Sequence, residues 1–378
     1  MDWLCEKKMR WTVLLFCFLI AVATSFPSRA EVTVAAVVPK SGDYEQQGNE
    51  LMKGIQKATD ELNQDGGLLG EKISLLPIDD QCNNSIAVST AQMLSILKDR
   101  NIKLVVGPYC ANSFDQVADI YANAHIFQII PTAINYTQAK TIKKGLIKML
   151  GYTNQEARDF FAFYNKTYAG YKVAVVSKSD DGESMEEAEA VIKEFQQHGK
   201  SILVKLYTYD MTNRNYDKLA SMVIHDGYQI AFLLGTSKNI RKMARSLKDI
   251  QEDFILFTNK YSATQEYFDY LDHLADATYF MELRGHTDDP DFAETLVKLR
   301  LSGFEIDGLS IYGYSAVKLW AELVKKAKSF DYNKLSTAVN DKTIRTEFGN
   351  RMFHNGAPKV SEPYAIFKYK DEQYEKVY

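Results

Sequence analysis

The chain has 378 residues, 46% of them hydrophobic and 12% aromatic, with 45 Lys and Arg against 49 Asp and Glu. That composition is too rich in core formers for a disordered chain, and the length suits two domains, each able to bury its own core. A net charge of −4 offers no electrostatic basis for binding nucleic acid or an anionic membrane surface.

The first thirty residues read as a targeting segment. Lys7, Lys8 and Arg10 make a basic start, and Trp11–Ala23 is a mainly apolar run of 13 residues. Such a run is too short to cross a hydrocarbon core about 30 Å thick as a helix. Ser28-Arg29-Ala30 puts small residues at the two positions a signal peptidase reads, so cleavage is expected after Ala30, with an uncleaved anchor as the alternative. Residues 1–30 would then be the signal peptide. Cys5 and Cys17 would leave with it, and Cys82 and Cys110 would remain. An even count in an exported chain suits one disulfide; two buried thiols are the other reading.

After residue 30, short β-branched runs alternate with long amphipathic segments, the pattern of parallel α/β architecture. Val32–Val38 is the first predicted strand. A helix is expected from Tyr44 to Asn63, with Leu51, Ile55, Ala58 and Leu62 on one face, stopped by Asp65-Gly66-Gly67. Strands follow at Ile73–Ile78, Leu104–Gly107 and Phe127–Pro131, with helices near 85–98 and 113–124 between them. The series restarts after Gly151 with a strand at Tyr171–Val176 and a helix from Glu183 to His198. Further strands are predicted at Ile202–Tyr207, Ile230–Leu234 and Ile255–Phe257. The last hundred residues give helices near 289–302, 308–329 and 333–340, then strands around 347–353 and 364–369. Two successive α/β blocks, each with its own sheet, are therefore expected.

Enzyme signatures are absent from the sequence after residue 30. There is no G-x-G-x-x-G, Walker A or G-x-S-x-G. Gly66-Gly67-Leu68-Leu69-Gly70 follows a helix and precedes a strand, the reverse of a phosphate cradle, and reads as a turn. His125, His198, His225, His273, His286 and His354 lack ligand spacing. Asp79-Asp80 and Asp180-Asp181 are adjacent acids at strand ends, where neighbours point to opposite sides. No metal, cofactor or catalytic residue is predicted.

An ordered series of short motifs resembles the type I periplasmic binding proteins, the leucine/isoleucine/valine-binding family, from Glu31 to nearly the C-terminus. Val34–Gly42 (VAAVVPKSG) is similar to the family's first strand and its S-G loop. Asn63–Gly70 (NQDGGLLG) resembles its N-x-x-G-G-x-x-G turn. Asp79-Asp80-Gln81-Cys82 and Gly107-Pro108-Tyr109-Cys110 stand where the family carries a disulfide. Ile130-Pro131-Thr132-Ala133 resembles its P-A-A-T loop, and Asp180-Asp181-Gly182-Glu183 its Y-G-E helix start.

The resemblance implies two Rossmann-like lobes with parallel-rich sheets, joined by three crossovers near Lys148–Tyr152, Phe280–Leu283 and Asn355–Lys359. Lobe 1 would span 31–150 plus 282–356, and lobe 2 would span 151–281 plus 357–378. It also implies a Cys82–Cys110 disulfide and a ligand cleft. Carried over, the ligand-binding positions are Tyr44, Gln47, Ala111, Asn112, Ser113, Thr132, Ala133, Asp181, Thr236, Ser237 and Lys260. Several depart from the family pattern. Ala111 replaces a carboxylate-binding serine, Asp181 an aromatic residue, and Lys260 the acid that pairs a ligand ammonium. Asp181 also suits a helix N-cap, and Lys260 a solvated surface lysine. The implied function is an exported, periplasmic solute-binding protein, a monomer without a cofactor. It would capture a small polar, anion-bearing ligand and deliver it to the membrane permease of an ABC importer. An extracytoplasmic sensor using the same closure is the alternative.

Overall fold

The structure, a computed structural model, describes residues 31–378 apart from 98–99, 111–113, 132–143, 150–152, 211, 213–214, 260–261, 284–289, 307, 348, 355, 360–363 and 372. The expected signal peptide, residues 1–30, lies outside the described residues.

The first lobe is built on a parallel sheet of order β2-β1-β3-β4-β5. Its strands are β1 (Glu31–Val38), β2 (Lys72–Asp79), β3 (Ile102–Val106), β4 (Phe127–Ile130) and β5 (Leu146–Lys148). Seven of the eight β1 residues are buried, as a strand covered on both faces requires. Between the strands run α1 (Glu45–Gln64), α2 (Asn84–Ile96) and α3 (Phe114–Asn123). The apolar stripe of α1 is buried as its period demands, with Leu51, Ile55 and Ala58 at 0% exposure and Leu62 at 4%. Burial of each large member contributes about 1.5–3 kcal/mol. Gly66 and Gly67 end the helix at φ 98° and 88°, a backbone that L side chains resist.

The second lobe carries a sheet of order β15-β14-β10-β9-β8-β6-β7. It comprises β6 (Val173–Lys178), β7 (Val204–Tyr209), β8 (Ile230–Leu233), β9 (Ile255–Asn259), β10 (Thr278–Leu283), β14 (Tyr364–Lys370) and β15 (Gln373–Lys376). Its helices are α4 (Thr153–Thr167), α5 (Gly182–Gln197), α6 (Tyr216–His225), α7 (Ser237–Ile250) and α8 (Gln265–Leu271). Sequence reading differs here. The strand predicted from Ile202 begins only at Val204, after a 3-10 turn over Ser201–Leu203. Thr278–Leu283, for which no strand was predicted, is a strand, parallel to β9 and antiparallel to β14.

The chain then returns to the first lobe. Helices α9 (Pro290–Leu301), α10 (Ser310–Ala327) and α11 (Tyr332–Val339) pack into the same core as β1, β3 and α1, around Trp320. A small sheet of β11 (Thr343–Thr346), β12 (Gly349–His354) and β13 (Ala357–Pro358) follows. Helices α1 and α10 approach at two glycines: a Cβ on Gly54 would lie 1.8 Å from the Ser310 carbonyl oxygen, and one on Gly313 would lie 2.2 Å from that of Leu51. The close approach fixes α1, whose first turn faces the second lobe.

Cys82 and Cys110 are disulfide-bonded, with Cα atoms 5.4 Å apart, so the pair is not two free thiols. The bond joins the loop after β2 to the loop after β3. Beside it, Asp80 is 0% exposed; its Oδ1 accepts the Cys82 N–H at 3.2 Å, and its Oδ2 has no partner. Burial, opposed by that N–H and assisted by Asp79, pushes its pKa to about 6. Because the folded value is raised, the stabilisation by this group is full below the unfolded value near 4 and is lost as pH rises through 6. Asp80→Asn should therefore match wild type near pH 4 and exceed it by about 2 kcal/mol at pH 7. Urea titrations at both pH values check this; parallel stabilities would refute it.

Candidate functional site

Each sheet has a point where strand order reverses, between β1 and β3 in the first lobe and between β6 and β8 in the second. Loops at such carboxyl ends diverge and leave a crevice lined by helix N-termini, the usual ligand position in open α/β sheets. The expected site residues that are described fall on these loops. Tyr44 and Gln47 follow β1, Cys110 follows β3, Asp181 follows β6, and Thr236 and Ser237 follow β8.

Contacts among the described residues bridge the lobes. Gln47 Nε2 donates to Ser237 Oγ at 3.3 Å, both side chains being buried. Lys178 Nζ, at the end of β6, lies 3.1 Å from Asp43 Oδ2 and 3.5 Å from Asp180 Oδ1. The same ammonium stands 5.8 Å from the centre of the Tyr44 ring. Tyr44 in turn packs on Tyr109, ring centres 5.7 Å apart at 50°. Among the described residues the lobes thus meet over the crevice through hydrogen-bonding, ionic and aromatic contacts.

Asp181 is the N-cap of α5, accepting the Ser184 N–H at 3.1 Å and the Ser184 hydroxyl. It faces the crevice as well: after burial itself, the Asp181 carboxylate is the largest influence raising the Tyr44 pKa. Tyr109 is raised by burial and then by Glu183 and Asp181. Thr236 likewise caps α7, accepting the Asn239 N–H at 3.3 Å. Ala111, Asn112, Ser113, Thr132, Ala133 and Lys260 lie outside the described residues.

Behind the crevice, where chain passes between lobes, Lys148 is 0% exposed and its N–H donates to the Gly356 carbonyl at 2.7 Å. Burial lowers its pKa, opposed by Glu183 and Glu156. Glu156 on α4 and Glu187 on α5 are buried and hydrogen-bonded to each other, an arrangement that needs a proton on one of them. Burial first raises both; Asp159 then adds to Glu156, and Glu156 to Glu187. The crossover region is therefore a dry, ionisable cluster.

Sequence reading missed Asp43, Lys178, Tyr109, Glu183 and Arg241. Lys178 ends the Val-rich strand β6 and stands two residues before the adjacent acids Asp180-Asp181. A basic residue at a strand end was the available signal. Among the described residues there is no group of His, Cys, Asp and Glu suited to a metal ion.

Residues 31–373 match the periplasmic binding protein family. The chain belongs to that family. An amino acid binding protein of Pseudomonas aeruginosa is 23% identical, over 97% of this chain and 98% of that protein. The Leu/Ile/Val-binding protein BraC3 of Rhizobium johnstonii is 24% identical, over 91% of this chain and 93% of its own length. Among solved structures, the branched-chain amino acid transporter substrate-binding protein LivJ of Streptococcus pneumoniae, in complex with isoleucine, superposes with a TM-score of 0.78. It is 16% identical, with 92% of this chain and 99% of LivJ covered. An R. palustris solute-binding protein in complex with benzoate gives the same TM-score and identity, over 92% of this chain and 96% of its own. The fold is that of a type I periplasmic binding protein. Family members bind solutes and are not enzymes, which agrees with a cleft built from caps and bridging pairs. The family is exported to the periplasm, and among the described residues no helix is long and apolar enough to cross a membrane.

Proposed function

We propose that this solute-binding protein traps a small polar, anion-bearing ligand, amino-acid-like or another metabolite, between hinged lobes and delivers it to the permease of an ABC importer. The lobes of this reading are 31–150 plus 282–356 and 151–281 plus 357–378, and the signal peptide is removed after Ala30. The observation that carries it is the pairing of two strand-order switch points, bridged by Gln47–Ser237 and Asp43–Lys178. Contacts that form only when the lobes meet let a ligand raise the closed population by its differential affinity for that state. Tyr44, Gln47, Asp181, Thr236 and Ser237 are the described ligand positions of this reading. Ala111, Asn112, Ser113, Thr132, Ala133 and Lys260 complete the set.

Asp181 in an aromatic place and Lys260 in an acid's place disfavour a plain branched-chain side chain and its ammonium, because a buried unpaired charge costs several kcal/mol. Native mass spectrometry of protein purified from its host is expected to show a co-purified polar metabolite. Calorimetry with leucine, isoleucine and valine is expected to show no sub-micromolar binding. Tight leucine binding that Lys260→Ala leaves unchanged would refute the ligand assignment.

A further inference from the structure

A cavity of about 600 Å³ opens between the first turns of α1 on one lobe and helices α7 and α8 on the other, beside the Gln47–Ser237 contact. Three features of its wall ask for the same chemistry. The first is Arg241 on α7. Its side chain is 12% exposed and its Nη2 pairs with Glu266. Its Cζ stands 5.8 Å from the centre of the Tyr270 ring. Its Nε and Nη1 are shut off from solvent and have no acceptor. A guanidinium presents its donors in a rigid planar fork that matches carboxylate geometry, so donors left without an acceptor suit carboxylate oxygens. The second is Gln47, 2% exposed, whose Oε1 also lacks a partner. The third is the start of α1, where Tyr44 supplies no side-chain cap to a helix of 20 residues. Its positive end therefore meets the cavity without a side-chain cap, although the Glu45 N–H is bonded to the Gly42 carbonyl at 3.3 Å.

Three of the four acids of the wall are engaged elsewhere, and the fourth, Glu45, is exposed on the first turn of α1. Asp43 is paired with Lys178, Glu50 accepts from Leu309 N–H and Gln46 Nε2, and Glu266 holds the far side of Arg241 itself. Lys238 adds a further cation to the lining. We propose that this cavity is a carboxylate subsite. A ligand carboxylate accepts from Arg241 and from the first turn of α1, while a hydroxyl, amide or amine on the same ligand donates to Gln47 Oε1. Arg241 and α1 belong to different lobes, so the carboxylate would tie them together. The proposal rests on the closure reading and names the anionic end of its ligand.

The test uses L-malate, succinate and the neutral succinamide as probes at constant ionic strength, on protein stripped of small molecules. Calorimetry and thermal shift are followed on wild type, Arg241→Gln, Arg241→Lys and Gln47→Leu. Both acids should bind saturably and raise the melting temperature, malate more than succinate, and succinamide should do neither. Arg241→Gln should weaken both acids at least tenfold. Arg241→Lys, which keeps charge but loses the fork, should fall between and serves as the folded control. Gln47→Leu should erase the advantage of malate. Failure of both acids to bind wild type, or equal affinity in wild type and Arg241→Gln, overturns the subsite. Scattering separates this from the closure reading. Arginine-dependent binding without compaction keeps the subsite and removes the hinge. Compaction on a compound indifferent to Arg241→Gln does the reverse.

Discussion

Replacing Cys82 and Cys110 together by serine is expected to lower stability by about 3–4 kcal/mol. The bond closes a loop with a sequence separation of 28, and releasing it returns that much chain entropy to the unfolded state. The native side changes little, because Cys110 sits 6% exposed within the first lobe's core and serine nearly fits its volume. The consequence for binding is local. The bond ties the loop after β2 to the loop after β3, and the latter continues into the candidate ligand positions at 111–113. A urea titration should show a lower midpoint for the double variant, with a slope no shallower than that of wild type because the unfolded chain is less constrained. A midpoint equal to that of wild type would mean that the loop is already constrained without the bond.

Gly54→Ala sets two effects against each other. Helix propensity favours alanine by about 1 kcal/mol. The added Cβ, however, would sit 1.8 Å from the Ser310 carbonyl oxygen and 2.7 Å from the Tyr314 nitrogen, both backbone atoms that no side-chain rotation can move. Helices α1 and α10 must separate, opening the core around Leu51, Ile55 and Trp320. The clash should win, with a net loss of about 3 kcal/mol, at the upper end of overpacking costs. Gly313→Ala strains the same interface against Leu51, so the double variant should cost less than the sum of the singles. Since α1 carries Tyr44 and Gln47, ligand affinity should fall along with stability. Thermal denaturation decides the sign: a more stable Gly54→Ala would show propensity winning.

The fold was legible where local pattern and burial agree. The β-branched run of β1, the Leu51-Ile55-Ala58-Leu62 stripe and the Gly66-Gly67 stop each determine their element without distant help. Thr278–Leu283 was not read as a strand because its antiparallel partner, Tyr364–Lys370, comes from the end of the chain. The Gly54 approach was hidden for a similar reason, since the atoms that exclude a side chain there lie on α10. Resemblance named Gln47, Ser237 and Asp181 as ligand positions, and the capping role weighed for Asp181 is present. The Gln47–Ser237 hydrogen bond spans 190 residues and depends on how the lobes meet, which no local pattern records. Arg241 escaped because a cation on an amphipathic helix reads as a solvated face. Its sealed Nε and Nη1 become visible only in three dimensions.

The central claim is ligand-driven closure of two lobes, and small-angle scattering tests it most directly. Protein stripped of small molecules is compared with the same protein saturated by its co-purified ligand or by whichever compound most raises the melting temperature. The account predicts a smaller radius of gyration and a separable curve in the bound state. Binding should also raise the melting temperature with ligand concentration, as linkage requires. Superimposable curves at saturation, or the failure of every fraction of host extract to bind, would contradict it.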